Sequence, residues 1–257
     1  MRHLCHFSVQ PHQKYLPGPL DVPVNRRQDT LKNMSRFLIT SPNSVTLIGG
    51  GAVRSEVLAT ALSHAPVLVA ADGGAETART YGQHPTAIIG DLDSIVNREY
   101  WQNSDVAVYQ IDDQDTTDFE KCLQLVQAPL VLGVGFLGAR TDHMLAALSA
   151  LMRFRQQPVV LLGEEDLVFL APKRLSLSLS RGSVVSLYPL VPVRGVRSQG
   201  LEWPVDGLSM QPGGVVGTSN RMKGAQLELE FDSLGMLLIL PLDALGEVVR
   251  LLSTPGR

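Results

Sequence analysis

The chain is predicted to be an α/β protein: a doubly wound, mostly parallel sheet domain at its amino-terminal side, followed by a small all-β sandwich domain. Three observations predict this. Between residues 45 and 162, short β-branched and aliphatic runs alternate with stretches of helical periodicity, the pattern of a parallel sheet with crossover helices. Beyond Pro172 the period becomes a strict two. Leu175, Leu177 and Leu179 alternate with serines, and Leu227, Leu229 and Phe231 with Glu228 and Glu230, as half-buried antiparallel strands require. Glycine and proline then punctuate the stretch from Gly182 to Gly214, as turns between short strands do. The expected divisions are an irregular extension over 1–42, an α/β domain over 43–171 and a β-sandwich domain over 172–257.

Composition narrows the class. The 257 residues are 44% hydrophobic and 18% charged, ordinary for a chain that buries a sizeable core. A net charge of −3 with no Lys/Arg cluster argues against a nucleic-acid partner. Cys5 and Cys122 are too few for a disulfide framework or a thiolate zinc site, so a reduced, cytoplasmic setting is expected. No apolar run is long enough to span a membrane, and the opening Met1-Arg-His-Leu-Cys-His lacks the apolar centre of a signal peptide. Residues 1–40 carry four prolines and little periodicity, and Met34, just before the first strand-like run, is a candidate alternative start.

Taken in order, Val45-Thr-Leu-Ile48 is a strand, Gly49-Gly-Gly51 a turn that lets backbone approach a ligand, and Val57, Leu58, Ala61 and Leu62 one face of a helix. Val67–Ala70 is the second strand, ending in Asp72-Gly-Gly, where a carboxylate serves a ligand or caps the following helix. Thr86–Ile89 is the third strand and ends in Gly90-Asp-Leu-Asp-Ser94. Val106–Tyr109 is the fourth, followed by Asp112-Asp-Gln-Asp-Thr-Thr-Asp118. Thr117-Asp-Phe-Glu120 fits a capping box, and Phe119, Cys122, Leu123 and Val126 form an apolar stripe that assigns Cys122 to the core. Leu130–Val134 is the fifth strand. Gly135–His143 leads into a helix marked by Leu145, Leu148, Leu151 and Met152, with Arg140 and Asp142 at its entry. Asp142 caps this helix or orients Arg140, and His143 is a positioning residue or a base. Pro158–Leu162 is the sixth strand.

Six carboxylates, Asp91, Asp93, Asp112, Asp113, Asp115 and Asp118, fall within twenty-eight residues on loops at the carboxyl ends of two strands. Open parallel sheets bind ligands at those ends. Oxygen-only donors suit a hard cation such as Mg²⁺, which brings phosphates with it. Lys121, one turn from Asp118, and Arg140 are placed to bind those phosphates. The residues alone therefore point to Mg²⁺-dependent phosphoryl-type transfer without a P-loop, with Trp203 offering an aromatic face and Ser219 and Asn220 hydrogen bonds in the second domain.

Ala71-Asp-Gly-Gly-Ala75, Gly90-Asp-Leu-Asp-Ser94, Asp113-Gln-Asp-Thr-Thr-Asp-Phe-Glu-Lys121, Gly138-Ala-Arg-Thr-Asp-His143 and Thr218-Ser-Asn220 together resemble the thiamine pyrophosphokinase family, over about residues 45–240. The resemblance implies a homodimer that converts ATP and thiamine to AMP and thiamine diphosphate with Mg²⁺. It implies Asp91, Asp93, Asp115 and Asp118 as metal and triphosphate ligands, with Lys121 and Arg140 on phosphates and Asp72 and Asp142 in the same catalytic cleft. The expected nucleotide-binding set is Gly50, Asp72, Gly73, Thr117, Lys121 and Arg140. Trp203, Ser219 and Asn220 would contact thiamine, across the dimer interface. Ala139 stands where the family often has a second glycine, and Thr218 replaces a commoner isoleucine. Two other assignments stay open: a pyrophosphokinase for another heterocyclic alcohol such as a hydroxymethylpterin, and a nucleotide-binding sensor without turnover. So full a set of carboxylates and cations speaks against the sensor.

Overall fold

The computed structural model describes residues 37–138 and 140–253. Most of the expected irregular extension, the candidate start at Met34 and the Ala139 departure lie outside the described residues. Within that expected extension, Ile39–Thr40 forms a two-residue strand, β1. The α/β part follows as β2 (Val45–Ile48), α1 (Ser55–His64), β3 (Val67–Ala71), α2 (Gly74–Thr80), β4 (Ala87–Gly90), α3 (Arg98–Gln102), β5 (Ala107–Gln110), α4 (Asp118–Leu125), β6 (Val126–Gln127), β7 (Val131–Val134), α5 (Thr141–Arg153) and β8 (Val159–Leu162). The remainder is β9 (Asp166–Leu170), β10 (Arg174–Ser178), β11 (Val184–Pro189), β12 (Val193–Gln199), β13 (Ser209–Met210), β14 (Gly217–Arg221), β15 (Gln226–Phe231), β16 (Met236–Pro241) and α6 (Leu245–Leu252).

Ten strands form one sheet in the order β14-β11-β16-β9-β8-β7-β2-β3-β4-β5. The six from β8 to β5 are parallel, and the chain reverses its direction of travel across the sheet between β2 and β7, as in a doubly wound fold. The other four are antiparallel. This sheet crosses residue 171 without a break, because β16 returns from the end of the chain to pair with β9 along Asp166–Leu170. The second sheet, β10-β15-β12-β13, closes the sandwich. In it Leu175 faces Leu229 and Leu177 faces Leu227, so the two period-two segments are each other's partners. β1 pairs in parallel with β6, held by Leu38 N–H on the Leu125 carbonyl at 2.9 Å and Ser41 N–H on Gln127 at 2.9 Å.

Alternation along the strands builds a core on each sheet face. Ile48, Leu68, Ala70 and Ile88 pack with Val57, Leu58 and Ala61 of α1 and Ala75 and Ala78 of α2. Leu47, Val69 and Ile89, one residue over, pack with Phe119, Cys122 and Leu123 of α4 and Ala147, Ala150 and Leu151 of α5. Cys122 is fully buried, and its apolar surroundings push the thiol well above its ordinary range, which makes it a core residue. The first core continues into the sandwich through Leu187, Leu227, Leu229 and Leu238, and it includes Leu245 and Val248 of α6. That closing helix is a departure from the all-β expectation. No helix among the described residues is long and apolar enough to cross a membrane.

Candidate active site

The carboxyl ends of β3, β4 and β5 converge on one group of side chains. Asp72 ends β3 in the left-handed region, at φ 44°, which a short polar side chain tolerates better than most. Its backbone N–H bonds to the Ile89 carbonyl at 2.9 Å, fastening the end of β3 to β4. Gly90 makes that approach possible, since a Cβ there would lie 2.6 Å from the Asp72 Cβ. Asp91 follows directly. Asp118 opens α4 after Thr117, whose hydroxyl accepts from the Glu120 N–H while the Glu120 carboxylate accepts from the Thr117 N–H; this is the expected capping box. One carboxylate oxygen from each of Asp72, Asp91 and Asp118 lies within 4.8 Å of the other two. Lys121, 2% exposed, donates to Asp118 Oδ1 at 3.0 Å and sits 3.6 Å from Asp91 Oδ2.

One ammonium does not balance three carboxylates. Burial raises the Asp118 carboxyl above the ordinary range, and although Lys121 opposes this, the charges of Asp72 and Asp91 add to it. Burial also acts to raise Asp91, but the Asp93 N–H, Lys121 and Gln114 outweigh it and hold that carboxyl low. For Lys121 burial disfavours the charge, and Asp118 and Asp91 more than restore it. Asp72 Oδ2 accepts from the Ser94 N–H at 3.2 Å, while Oδ1 is buried with no hydrogen-bond partner. Such an oxygen is normally satisfied, and an oxygen-only trio with an unused acceptor fits a hard divalent cation. An acid whose folded pKa is raised makes the cation-free fold less stable as pH climbs from the unfolded to the folded pKa. Asp118→Asn is therefore expected to raise the melting temperature measured in chelator at neutral pH, by about 2–4 °C per kcal/mol relieved. An unchanged or lower calorimetric melting temperature would contradict this electrostatic picture.

The other expected residues fall into distinct places. The Asp93 and Asp115 carboxylates are exposed and outside the trio; Asp93 accepts from the Ser94 hydroxyl at 2.8 Å, and the Asp115 N–H donates to Asp113. Gly50 lies against Gly73, with a Cβ at position 50 meeting the Gly73 carbonyl carbon at 3.7 Å. Arg140 and Asp142 form a bidentate pair at the start of α5, Nε to Oδ1 at 3.2 Å and Nη2 to Oδ2 at 2.7 Å. Asp142 thus orients Arg140 rather than capping the helix, and Arg140 holds its carboxyl down to about 2. His143 is exposed beside them. Asn220, 4% exposed on β14, accepts from the Trp203 N–H at 3.2 Å and donates to the Trp203 carbonyl at 2.7 Å. Its amide is spent on the backbone that presents the exposed Trp203 ring. Ser219, at φ 59°, is fixed by its N–H on the Ser186 hydroxyl at 3.0 Å.

Comparison with known proteins decides the family. Residues 58–162 match the model described as thiamin pyrophosphokinase, catalytic domain, and residues 173–235 the one described as thiamin pyrophosphokinase, vitamin B1 binding domain. Thiamine pyrophosphokinase 2 of Arabidopsis thaliana is 30% identical over 209 residues, covering 66% of this chain and 76% of the relative. The chain belongs to the thiamine pyrophosphokinase family. Thiamine pyrophosphokinase 1 of Oryza sativa subsp. japonica is 32% identical over 167 residues, 58% of this chain and 63% of the rice protein's length. Yeast thiamin pyrophosphokinase shares the fold at a TM-score of 0.69 with 16% identity, covering 86% of this chain and 95% of its own. The Candida albicans thiamin pyrophosphokinase gives 0.67 with 17% identity, covering 81% and 97%.

In this member of the thiamine pyrophosphokinase family, the acidic trio and the Trp203 platform sit toward opposite edges of the ten-stranded sheet. β14, whose Asn220 holds Trp203, is the first strand in the order, and β4, which ends at Asp91, is the ninth. Eight inter-strand steps of about 4.8 Å separate them by roughly 38 Å across the sheet. Asp72 was grouped by sequence with the nucleotide ligands. Its place beside Asp91 follows from the adjacency of β3 and β4, and the signal for it was the repeated Asp at successive strand ends.

Proposed function

We propose that this chain transfers the diphosphoryl group of ATP to the hydroxyl of thiamine, giving thiamine diphosphate and AMP, with Mg²⁺ held by Asp72, Asp91 and Asp118. The observation that carries the cation assignment is the buried, unpartnered Asp72 Oδ1 within a trio of carboxylates on a family member's chain. Bound there, Mg²⁺ would neutralise phosphate oxygens and hold the triphosphate in line for displacement.

The chain's own residues supply the rest. Lys121 presents a buried ammonium beside the trio, where it offsets charge gathered on the transferring phosphates. The thiamine hydroxyl oxygen bonds to the β-phosphorus, the bond from that phosphorus to the α-bridging oxygen breaks, and AMP departs while the hydroxyl proton is released. Arg140, pre-set by Asp142, offers a planar fork to phosphate oxygens. Gly50 lies against Gly73 and Gly73 against Ser94, so these glycines let the strand-end loops pack closely where the nucleotide would bind, and Asp93, Asp115 and Thr117 border the same loops. Residues 43–171 thus serve the nucleotide and the cation, and residues 172–257 recognise thiamine through Trp203, steadied by Asn220 and Ser219.

Support for a homodimer comes from the sheet: the two half-sites lie too far apart to meet on one small substrate within one chain. A second copy supplies the missing half by symmetry. Incubation with Mg²⁺, ATP and thiamine, followed by ³¹P NMR and chromatography, is expected to yield AMP and thiamine diphosphate in equal amounts. ADP with thiamine monophosphate would instead make this an ordinary kinase, and no product would reject the assignment.

A further inference from the structure

The loop that carries Asp91 and Asp93 has an unusual backbone and an unusual set of supports. Leu92 adopts φ 66°, a conformation a leucine holds only when its surroundings impose it. Its side chain is buried, and its carbonyl accepts two hydrogen bonds from the Arg98 guanidinium, from Nε at 3.1 Å and Nη2 at 2.6 Å. Immediately beyond, one carboxylate gathers the far end of the loop. Glu76 Oε1 accepts from the Asn97 N–H and the buried Trp101 indole N–H, each at 3.2 Å. Glu76 Oε2 accepts from Asn97 Nδ2 at 3.4 Å and Arg79 Nε at 3.1 Å. Burial alone would raise this carboxyl, but the donors Trp101, Asn97 and Arg79 prevail and keep it ionised.

None of these groups belongs to the cation-binding trio, yet together they close the loop at both ends. We propose that Glu76 and Arg98 are positioning residues that latch the Leu92–Asn97 loop, fixing Leu92 in its left-handed conformation so that Asp91 is presented to Asp72 and Asp118. The inference rests on the cation assignment of the proposed function. Glu76 acts through α2: Asp72 lies four residues before it at the helix entrance, so a single short element sets both the Asp72 carboxylate and the anchor for the Asp91 loop. Supports of this kind around metal ligands are worth a large share of a site's affinity, because a ligand held loosely must be ordered anew at each binding event.

The test compares Glu76→Ala, Glu76→Gln and Arg98→Met with the wild-type protein, using Mn²⁺ alone as the probe and reading free ion by electron paramagnetic resonance. Glu76→Ala and Arg98→Met are expected to weaken Mn²⁺ binding about 10- to 100-fold. Amide exchange at residues 93–97 should speed up, while β2 and β7 keep wild-type protection. Glu76→Gln retains an Oε1 acceptor for Asn97 and Trp101 and should recover most of the affinity. In turnover, the loss should fall on kcat, with the KM for thiamine unmoved. Should Glu76→Ala fail to fold, Arg98→Met alone decides. Mn²⁺ affinity within about twofold of wild type in the folded variants, or weakened binding with unchanged loop exchange, would overturn the latch. Absence of thiamine diphosphate from the wild-type reaction would reject the proposed activity while leaving these binding and exchange results standing.

Discussion

Asp91→Asn is expected to lower kcat by about two to three orders of magnitude, the usual scale for losing one fixed electrostatic contact to a reacting group, while the protein stays folded. Asp91 is half of the link between the two acidic loops. Its carboxylate faces Asp72 and Asp118 and lies 3.6 Å from the Lys121 ammonium. An amide keeps the shape and one acceptor oxygen but removes a formal charge from the proposed cation site. The fold has little at stake, since the Asp91 side chain is partly exposed and its chief structural bond, from the Asp93 N–H at 3.2 Å, survives in asparagine. Asp118→Asn should behave alike. Asp115→Asn should be milder, because its carboxylate stands exposed outside the trio. Steady-state kinetics with circular dichroism on each variant checks the order; wild-type turnover in folded Asp91→Asn would remove that residue from the chemistry.

Trp203→Ala is expected to raise the KM for thiamine about tenfold, with the KM for ATP unchanged. Thiamine carries a permanently cationic thiazolium ring, and a cation over an indole face is worth about 1–2 kcal/mol when partly desolvated. Trp203 is 55% exposed, so removal of its ring opens no core cavity. The backbone beneath is held by Asn220, whose two bonds to Trp203 involve only main-chain atoms and persist in the alanine variant. An altered ATP dependence with an unmoved thiamine KM would place Trp203 elsewhere.

How far these assignments were legible in the sequence differs residue by residue. The acidic loops were legible because carboxylates placed directly after apolar β-branched runs have few structural uses. Asp91 was readable on that ground, Asp118 from the acidic run before it, Lys121 from its three-residue spacing to Asp118, and the Thr117 capping box from spacing alone. For Asp72 the repeated Asp at successive strand ends was a signal, but its contact with Asp91 and Asp118 was not readable. It depends on β3 lying beside β4 and on Gly90 leaving space for the Asp72 side chain, and sheet adjacency is a property of the folded chain. The role of Asn220 was half legible: a polar side chain able to hydrogen-bond was visible, but not that its amide would be engaged by the Trp203 backbone, seventeen residues away in sequence. The alternation of Leu175–Leu179 and Leu227–Phe231 declared antiparallel strands, yet period two does not say which sheet a strand joins. Hence the pairing of β16 with β9, far apart along the chain, and the sheet that passes through residue 171 came only with the structure. The Leu92–Asn97 loop was silent for a similar reason, since its supports, Glu76 and Arg98, look like ordinary surface charges in sequence.

A site divided between Asp72–Asp91–Asp118 on one chain and Trp203 on another is open to test by subunit complementation. Asp91→Asn and Trp203→Ala proteins, each assayed at thiamine well below the variant KM, are mixed in equal amounts, dissociated and reassociated. In a symmetric dimer with shared sites, half of the dimers are mixed, and each mixed dimer carries one site with both native halves. A divided site predicts recovery of about a quarter of wild-type activity after exchange. Activity that stays at the average of the two separate variants would contradict it.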